Sequence, residues 1–179
     1  MRSLWINLHL YAAAFMAPAL LLVAISGGLY LIGVKGKVVN IVIDVPGGRT
    51  IDQESETLEA DVRELLLSVG IEHEFEYLKV RGNMLVTRPT SRVHYAITVL
   101  DDSTTVSRHE PDFQKTMIEL HKGHGPLMFK TFQKALAVGL LFIVLSGLWL
   151  GLSSTGLRIR TLATSAAGTV VFFVLVLLA

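Results

Sequence analysis

The stretch WINLHLYAAAFMAPALLLVAISGGLYLIGV (Trp5–Val34) decides the fold class of this chain. It lies within a run of 32 positions between Arg2 and Lys35 that contains no Asp, Glu, Lys or Arg. Because a membrane-spanning helix needs only about 20 consecutive apolar residues, the run predicts a first transmembrane helix within residues 1–34. The apolar core of a cleaved signal peptide is only about 7–15 residues long. The greater length of this run therefore predicts a retained helix.

Two further charge-free runs follow in the C-terminal part of the chain. Residues 135–157 give 23 such positions and residues 161–179 give 19. The whole chain of 179 residues is 51% hydrophobic, and its mean hydropathy is +0.54. We therefore expect two more transmembrane helices, at 129–157 and 161–179. The charged residues are concentrated between the first and second helices.

The positive charges in the short flanks predict the orientation. Arg2 precedes the first helix, and Arg158 and Arg160 lie in the short turn between the second and third. Basic residues in short flanks favour the cytoplasmic side. The N-terminus would then be cytoplasmic and residues 35–128 would be outside, which in a bacterial inner membrane means the periplasm.

The middle segment reads as a small α+β unit, covering residues 35–111. Apolar residues at helical spacing predict a helix over 55–69, which Gly70 would end. Strand-like runs follow at 73–80, 83–89, 92–100 and 104–108. Turns are predicted at 81–83 and 101–103. Residues 112–128 are then expected to form an amphipathic helix and a hinge before the second transmembrane helix.

Several classes of function are excluded or unsupported. The chain has no cysteine, so it has no disulfide, thiolate metal site or covalently attached haem. No motif of a serine hydrolase, a zinc protease or a P-loop enzyme occurs, and we assign no catalytic residue. No basic stripe with interleaved aromatics indicates nucleic acid. The predicted membrane runs hold no charged residue, which argues against an ion or proton transporter.

Residues 7–32 resemble the first helix of the PepSY-associated transmembrane family. The family pattern has Leu-His near the start, an aromatic-and-small stretch, often a proline, and Ser/Thr-Gly near the end. Its counterparts here are Leu8-His9, Tyr11 to Phe15, Pro18 and Ser26-Gly27.

Residues 119–150 resemble the next helix of that family. Its counterparts here are Leu120-His121, Gly123 with Gly125, and Ser146-Gly147 with Trp149. The segment between the two helices is similar to a PepSY domain, so the resemblance extends to about residue 155. It implies a membrane α-helical protein with three transmembrane helices and a small α+β PepSY-like periplasmic domain inserted between the first and second.

The resemblance implies two alternative functions. Some members are inner-membrane reductases that carry b-type haems between their helices and help to reduce ferric siderophores. By this resemblance the chain would be a haem-linked electron-transfer or accessory subunit, with His9, His121 and His124 as candidate cofactor-binding residues. Isolated PepSY domains are instead associated with peptidase propeptides. The chain would then be a non-catalytic, membrane-anchored module that binds a periplasmic peptidase or an assembly partner.

Each of the three histidines also has a plainer interpretation. His9 would be an anchor at the membrane interface. His121 and His124 would belong to a polar hinge, or would together hold a metal. Because about 30 Å of hydrocarbon separates the levels of His9 and His121, one haem cannot join them. Two haems would each need a second axial ligand, from a homodimer, a partner subunit, or Met16 or Met128.

The remaining histidines carry weaker predictions. The alternation of residues 92–100 places His94 opposite Val93 and Tyr95, where we expect it to be solvated. His73 is likewise expected at the surface. The sequence His109-Glu110-Pro111-Asp112 offers metal ligands, but it also has the composition of an ordinary helix start.

Overall fold

The first apolar run forms one continuous helix. A computed structural model describes residues 2–46, 50–100 and 103–179. In it α1 extends over Arg2–Leu31, α4 over Leu127–Leu152 and α5 over Arg158–Leu178. Each of these three helices is long and apolar enough to cross a membrane. Their length and composition are those of a membrane protein with helical spans, as the charge-free runs predict.

Between α1 and α4 the chain forms an antiparallel sheet with two short helices. Its strands are β1 (Val38–Ile43), β2 (Tyr77–Arg81), β3 (Met84–Arg88), β4 (His94–Val99) and β5 (Thr104–Pro111); its helices are α2 (Leu58–Ser68) and α3 (Phe113–His121). The spatial order is β1-β5-β4-β3-β2. The described residues thus combine three long apolar helices with a small α+β part, the coarse architecture that the sequence predicts.

One face of the sheet packs against α2. The apolar stripe of this helix buries Val62, Leu65 and Leu66. They join a core to which β3, β4 and β5 contribute Leu85, Ile97 and Val106. Burial of such aliphatic side chains contributes roughly 1.5–3 kcal/mol each. The predicted stripe of the helix is confirmed.

The turns follow the predicted chemistry where the structure describes them. Gly70, after α2, has a φ of 77°, and Gly82, between β2 and β3, has a φ of 56°. Glycine adopts this left-handed region without steric cost. In the turn predicted at 101–103, residues 101 and 102 lie outside the described part of the chain.

Strand β1 is absent from the sequence prediction, and β5 is longer than predicted. β1 pairs with β5 from Val38 opposite Pro111 to Ile43 opposite Val106. This pairing carries β5 through Pro111, three residues beyond the predicted end at 108. The partner strand lies more than 60 residues away in sequence, so local periodicity did not indicate it.

The chain divides into two compact units. One consists of α1 up to Leu20 together with the residues from Lys134 onward. In it Met16 lies against Gly139 of α4, where an added Cβ would meet the methionine methyl group. The other unit extends from Leu21 to Gln133 and contains the sheet. Small residues at such contacts let membrane helices approach closely.

Candidate functional site

His9 is hydrogen-bonded to a serine of another long helix. Its Nδ1 lies 2.8 Å from Oγ of Ser146 in α4. Ser146 is 5% exposed. The next residue, Gly147, leaves room for the ring, since a Cβ there would come within 3.3 Å of Cε1 of His9. The Leu-His of α1 thus meets the Ser-Gly of α4, which sequence similarity alone did not indicate.

His121 makes the corresponding contact at the end of α3. Its Nδ1 lies 3.0 Å from Oγ of Ser26 in α1, and Ser26 is 1% exposed. A Cβ on the adjacent Gly27 would come within 3.0 Å of Cε1 of His121. The second Leu-His therefore meets the Ser-Gly of α1.

The serine hydroxyls define the proton positions on both rings. Ser146 donates to the carbonyl of Ile143 at 3.2 Å, and Ser26 donates to that of Val23 at 3.3 Å. A hydroxyl has a single proton, so toward each histidine it acts as the acceptor and Nδ1 is the donor. In the neutral imidazole this leaves Nε2 with its lone pair. No described residue hydrogen-bonds to Nε2 of either ring.

A cavity adjoins each histidine–serine pair. Beside Ser146 it has a volume of about 300 Å³ and is lined by aromatic and aliphatic side chains, Trp5, Phe142, Leu145 and Trp149. Beside Ser26 it has a volume of about 220 Å³ and also contacts Gly27, Tyr30 and His121. Both lie at or below the small end of the usual range for ligand pockets, about 300–1,000 Å³.

His124 is directed elsewhere, despite its closeness to His121 in sequence. Its Nδ1 lies 2.7 Å from Oε2 of Glu119. Burial lowers the pKa of His124, helped by Arg88 and Lys122 and opposed by the Glu119 carboxylate. His124 thus donates a hydrogen bond to Glu119 as a neutral ring. The structure does not bring His121 and His124 to a common partner.

Glu119 collects contacts from several elements. Thr90 donates to its Oε2 at 2.9 Å, while the amines of Lys115 and Lys122 lie 3.2 and 3.7 Å from its Oε1. Burial alone would raise the pKa of this carboxyl. The hydrogen bonds from His124, Thr90 and Lys115 outweigh burial and lower the pKa to about 2. Glu119 is therefore ionised at any physiological pH.

Glu119 belongs to a third cavity, on the sheet face opposite α2. We call it the basic pocket; its volume is about 310 Å³. It is lined by four cationic side chains, Arg81, Arg88, Lys115 and Lys122, by the histidines His94, His109 and His124, and by Glu119. Strands β2 to β5 and α3 with the following hinge thus meet around one polar cavity.

Arg88 is the most buried cation of the basic pocket. It is 4% exposed, and its Nη1 donates to Oγ1 of Thr90 at 2.9 Å. Burial, reinforced by the nearby charge of Arg81, lowers the pKa of the guanidinium. Among the described residues its Nε has no hydrogen-bond partner.

His94 and His109 are stacked in the same pocket. They are directly opposite in the β4–β5 pairing, and their ring centroids are 5.1 Å apart. Burial lowers the pKa of both. The prediction of a solvated His94 is wrong: its face is as expected, but the side chain is 9% exposed. The prediction failed because α3, which supplies Lys115 and Glu119 to the pocket, is a distant neighbour that strand alternation does not reveal.

The other candidate ligands have structural partners. His73 is half-buried and contacts the Tyr95 ring at 4.8 Å. Asp112 caps α3 by accepting from the Lys115 backbone at 2.7 Å, as expected of a helix start. Glu110 pairs with Arg108 at 2.8 Å. Within the described ranges, no group of three or more His, Asp or Glu side chains could hold a metal ion.

Comparison with known proteins adds no relative. No protein-family model and no curated protein matches the sequence, and no solved structure matches the fold.

Proposed function

We propose that the chain is a membrane electron-transfer or accessory subunit in which His9 and His121 each supply one axial ligand to a b-type haem. The resemblance to the PepSY-associated transmembrane family motivates this proposal. In the same proposal the protein lies in a bacterial inner membrane, with its N-terminus cytoplasmic and the segment 35–128 periplasmic. When bound, the haem would supply one-electron chemistry, for example toward a ferric siderophore.

The observation that carries the proposal is the orientation of the two rings. Each histidine donates its Nδ1 proton to a buried serine, Ser146 or Ser26, at 2.8 and 3.0 Å. A second hydrogen bond of this kind is what fixes the tautomer and direction of iron-ligating imidazoles. The Nε2 lone pair of each ring is left free for a metal.

The small volumes of the two cavities favour a second protein chain at each haem site. The adjoining cavities of about 300 and 220 Å³ are small for a macrocycle, and each pair contains only one histidine. A homodimer or a membrane partner subunit would complete each site with a second ligand. Met128 does not suit that role, since it is 87% exposed. The side chain of Met16 already packs against Gly139.

The test is a difference spectrum of the purified protein, dithionite-reduced minus air-oxidised. The wild type is compared with His9→Ala, His121→Ala and a control, His73→Ala, which removes a histidine of the part of the chain that contains the sheet. We expect a b-type signal in the wild type and the control, and about half of it in each of the two ligand variants.

A flat wild-type spectrum, from folded protein made in cells supplied with haem, would refute the proposal. An undiminished signal in both ligand variants would refute the assignment of the ligands. The alternative, a membrane-anchored module that binds a periplasmic peptidase or an assembly partner, requires no haem and would then be the function to test.

A further inference from the structure

The basic pocket contains more positive charge than its own carboxylate neutralises. Glu119 is the one acidic side chain among its described lining residues. Both of its oxygens are already engaged, Oε1 by Lys115 and Lys122 and Oε2 by Thr90 and His124. The guanidinium groups of the pocket are therefore left without a carboxylate.

Arg88 shows this imbalance most clearly. Its guanidinium is buried, and within the described ranges no carboxylate lies within ion-pair distance of it. Its one hydrogen bond goes to Thr90, and its Nε faces no acceptor. Glu119 acts on this guanidinium only across Thr90, as a charge that raises the pKa of Arg88. A buried charge without a direct ion pair is costly. A guanidinium also presents a planar fork that suits the two oxygens of a phosphate or carboxylate.

We propose that the basic pocket binds an oxyanion, a phosphate or carboxylate group, with Arg88 as its main ligand and Arg81 as a second, exposed cation at the pocket rim. The occupant would be a small soluble anion or the headgroup of an anionic lipid. The two share the oxyanion and differ only in what is attached to it. The site shares Lys122 with the cavity beside His121 but contains neither histidine–serine pair, and it does not depend on haem.

The stacked histidines extend the donor set. Nδ1 of His94 lies 2.9 Å from the carbonyl of Arg92, so it is the donor of that bond. Nε2 is then the nitrogen that gains a proton when the ring becomes charged, and a charged ring would donate toward an anion. The cavity volume of about 310 Å³ accommodates a phosphate or a small carboxylate. Four surrounding cations make the same space unfavourable for a metal ion.

The test measures binding of inorganic phosphate and of citrate to the full chain in detergent at constant ionic strength. Phosphate is followed by equilibrium dialysis with radiolabel, and citrate by its competition. The variants are Arg88→Gln and Arg81→Gln. The matched control is Lys79→Gln, which removes an exposed cation two residues before Arg81 on the same strand, outside the pocket.

We expect saturable binding of at least one of the two anions to the wild type and the control. Arg88→Gln should weaken it by at least about tenfold, since a buried charged partner is lost. Arg81→Gln should weaken it by about two- to fivefold, the effect of an exposed ion pair. If Arg88→Gln does not fold, the comparison of Arg81→Gln with Lys79→Gln carries the test.

The source of the anion is separated by repeating the dialysis in nanodiscs. Phosphate binding that persists in phosphatidylcholine and disappears when phosphatidylglycerol is added assigns the site to a lipid headgroup. Binding that persists in both membranes assigns it to a soluble anion. A lipid headgroup that occupies the site would also appear as phosphatidylglycerol that co-purifies with the wild type and is lost with Arg88→Gln. The proposal would be overturned if no such lipid co-purified and no saturable anion binding were found under any condition. Equal binding by the wild type and both pocket variants would overturn it as well.

Discussion

The imidazole of His121 lies directly against Gly27 of α1. A Cβ built on that glycine would come within 3.0 Å of Cε1 and 3.6 Å of Nδ1 of the ring. The neighbouring Ser26 holds the same ring by a hydrogen bond of 3.0 Å. Gly27 therefore leaves the space that the His121 ring occupies, and Ser26 holds the ring in that space by the hydrogen bond.

Replacement of Gly27 by alanine should displace the ring. A gap of 3.0 Å is tighter than ordinary van der Waals contact, so His121 would have to move away from Ser26. We expect a loss of about 1–3 kcal/mol in the free energy of unfolding, typical of overpacking. It would be measured by denaturation in detergent. Gly28→Ala is the control, because a Cβ there meets nothing within 4 Å among the described residues. Equal destabilisation by both variants would contradict the contact.

The His9–Ser146 bond should appear as coupling in a double-mutant cycle. Ser146→Ala and His9→Ala each remove one partner of the 2.8 Å contact. Interhelical hydrogen bonds in membranes contribute about 0.6 kcal/mol on average and up to about 1.7. We expect a coupling free energy within that range for this pair, measured by unfolding. Ser153→Ala, just beyond α4, should show none with His9→Ala. A coupling of zero for Ser146 would mean that the two groups do not interact.

Glu119 should stabilise the part of the chain that contains the sheet at neutral pH. Glu119→Gln removes the charge that Lys115 and Lys122 contact, which should cost about 1.5–3 kcal/mol. The control Glu110→Gln breaks the half-exposed pair with Arg108 and should cost less than about 1 kcal/mol. Similar losses in the two variants would show that Glu119 is not the centre of its network.

The pH dependence of that effect follows from the direction of the shift. The folded pKa of Glu119 is about 2, below the ordinary 4.5. Its contribution is thus fully present above 4.5 and is lost as the pH falls through about 2. The difference in stability between the wild type and Glu119→Gln should therefore become smaller as the pH falls from 4.5 to about 2. It is measured by thermal unfolding at a series of acid pH values.

The stacked His94 and His109 should make the fold sensitive to mild acid. Burial lowers the pKa of both below 6.5. As the pH drops below 6.5 the unfolded chain takes up protons before the folded one, so stability falls. His94 also faces Arg88, whose charge lowers the pKa of the ring, and the Glu119 carboxylate, whose charge raises it. His109→Gln should reduce the slope of melting temperature against pH in a buffer without phosphate. An unchanged slope would show that the pair does not titrate on unfolding.

The charge-free runs were enough to predict the three long helices. The length of an apolar run can be read directly from the sequence. Arg2 and Lys35 bound the first run, and Arg158 ends the second. The α2 stripe was likewise readable from Val62, Leu65 and Leu66, because helical periodicity is local. The predicted bounds of the second long helix, 129–157, agree less well at the C-terminal end. α4 starts at Leu127 but already ends at Leu152, because the charge-free run continues into the turn after the helix.

The sites depended on contacts between distant segments. The sequence indicated His9 and His121 as candidates, but not that each would meet a serine of the other motif. Arg88 gave no signal in the sequence, because arginine is mostly found at the protein surface. Only the fold places Thr90 and Glu119 beside it and removes it from water.

The two ends of the sheet segment meet at one point. The backbone of Lys37 donates to the Asp112 carboxylate at 2.8 Å, and the backbone of Asp112 donates to the Lys37 carbonyl at 3.0 Å. Gly36 lies against the backbone of Lys115 with no room for a Cβ. The chain therefore enters and leaves residues 38–111 at neighbouring positions. Segments with adjacent ends are those that recombination can insert, exchange or remove as a block. A block of this kind can be exchanged without any change in the sequences of the long helices that flank it.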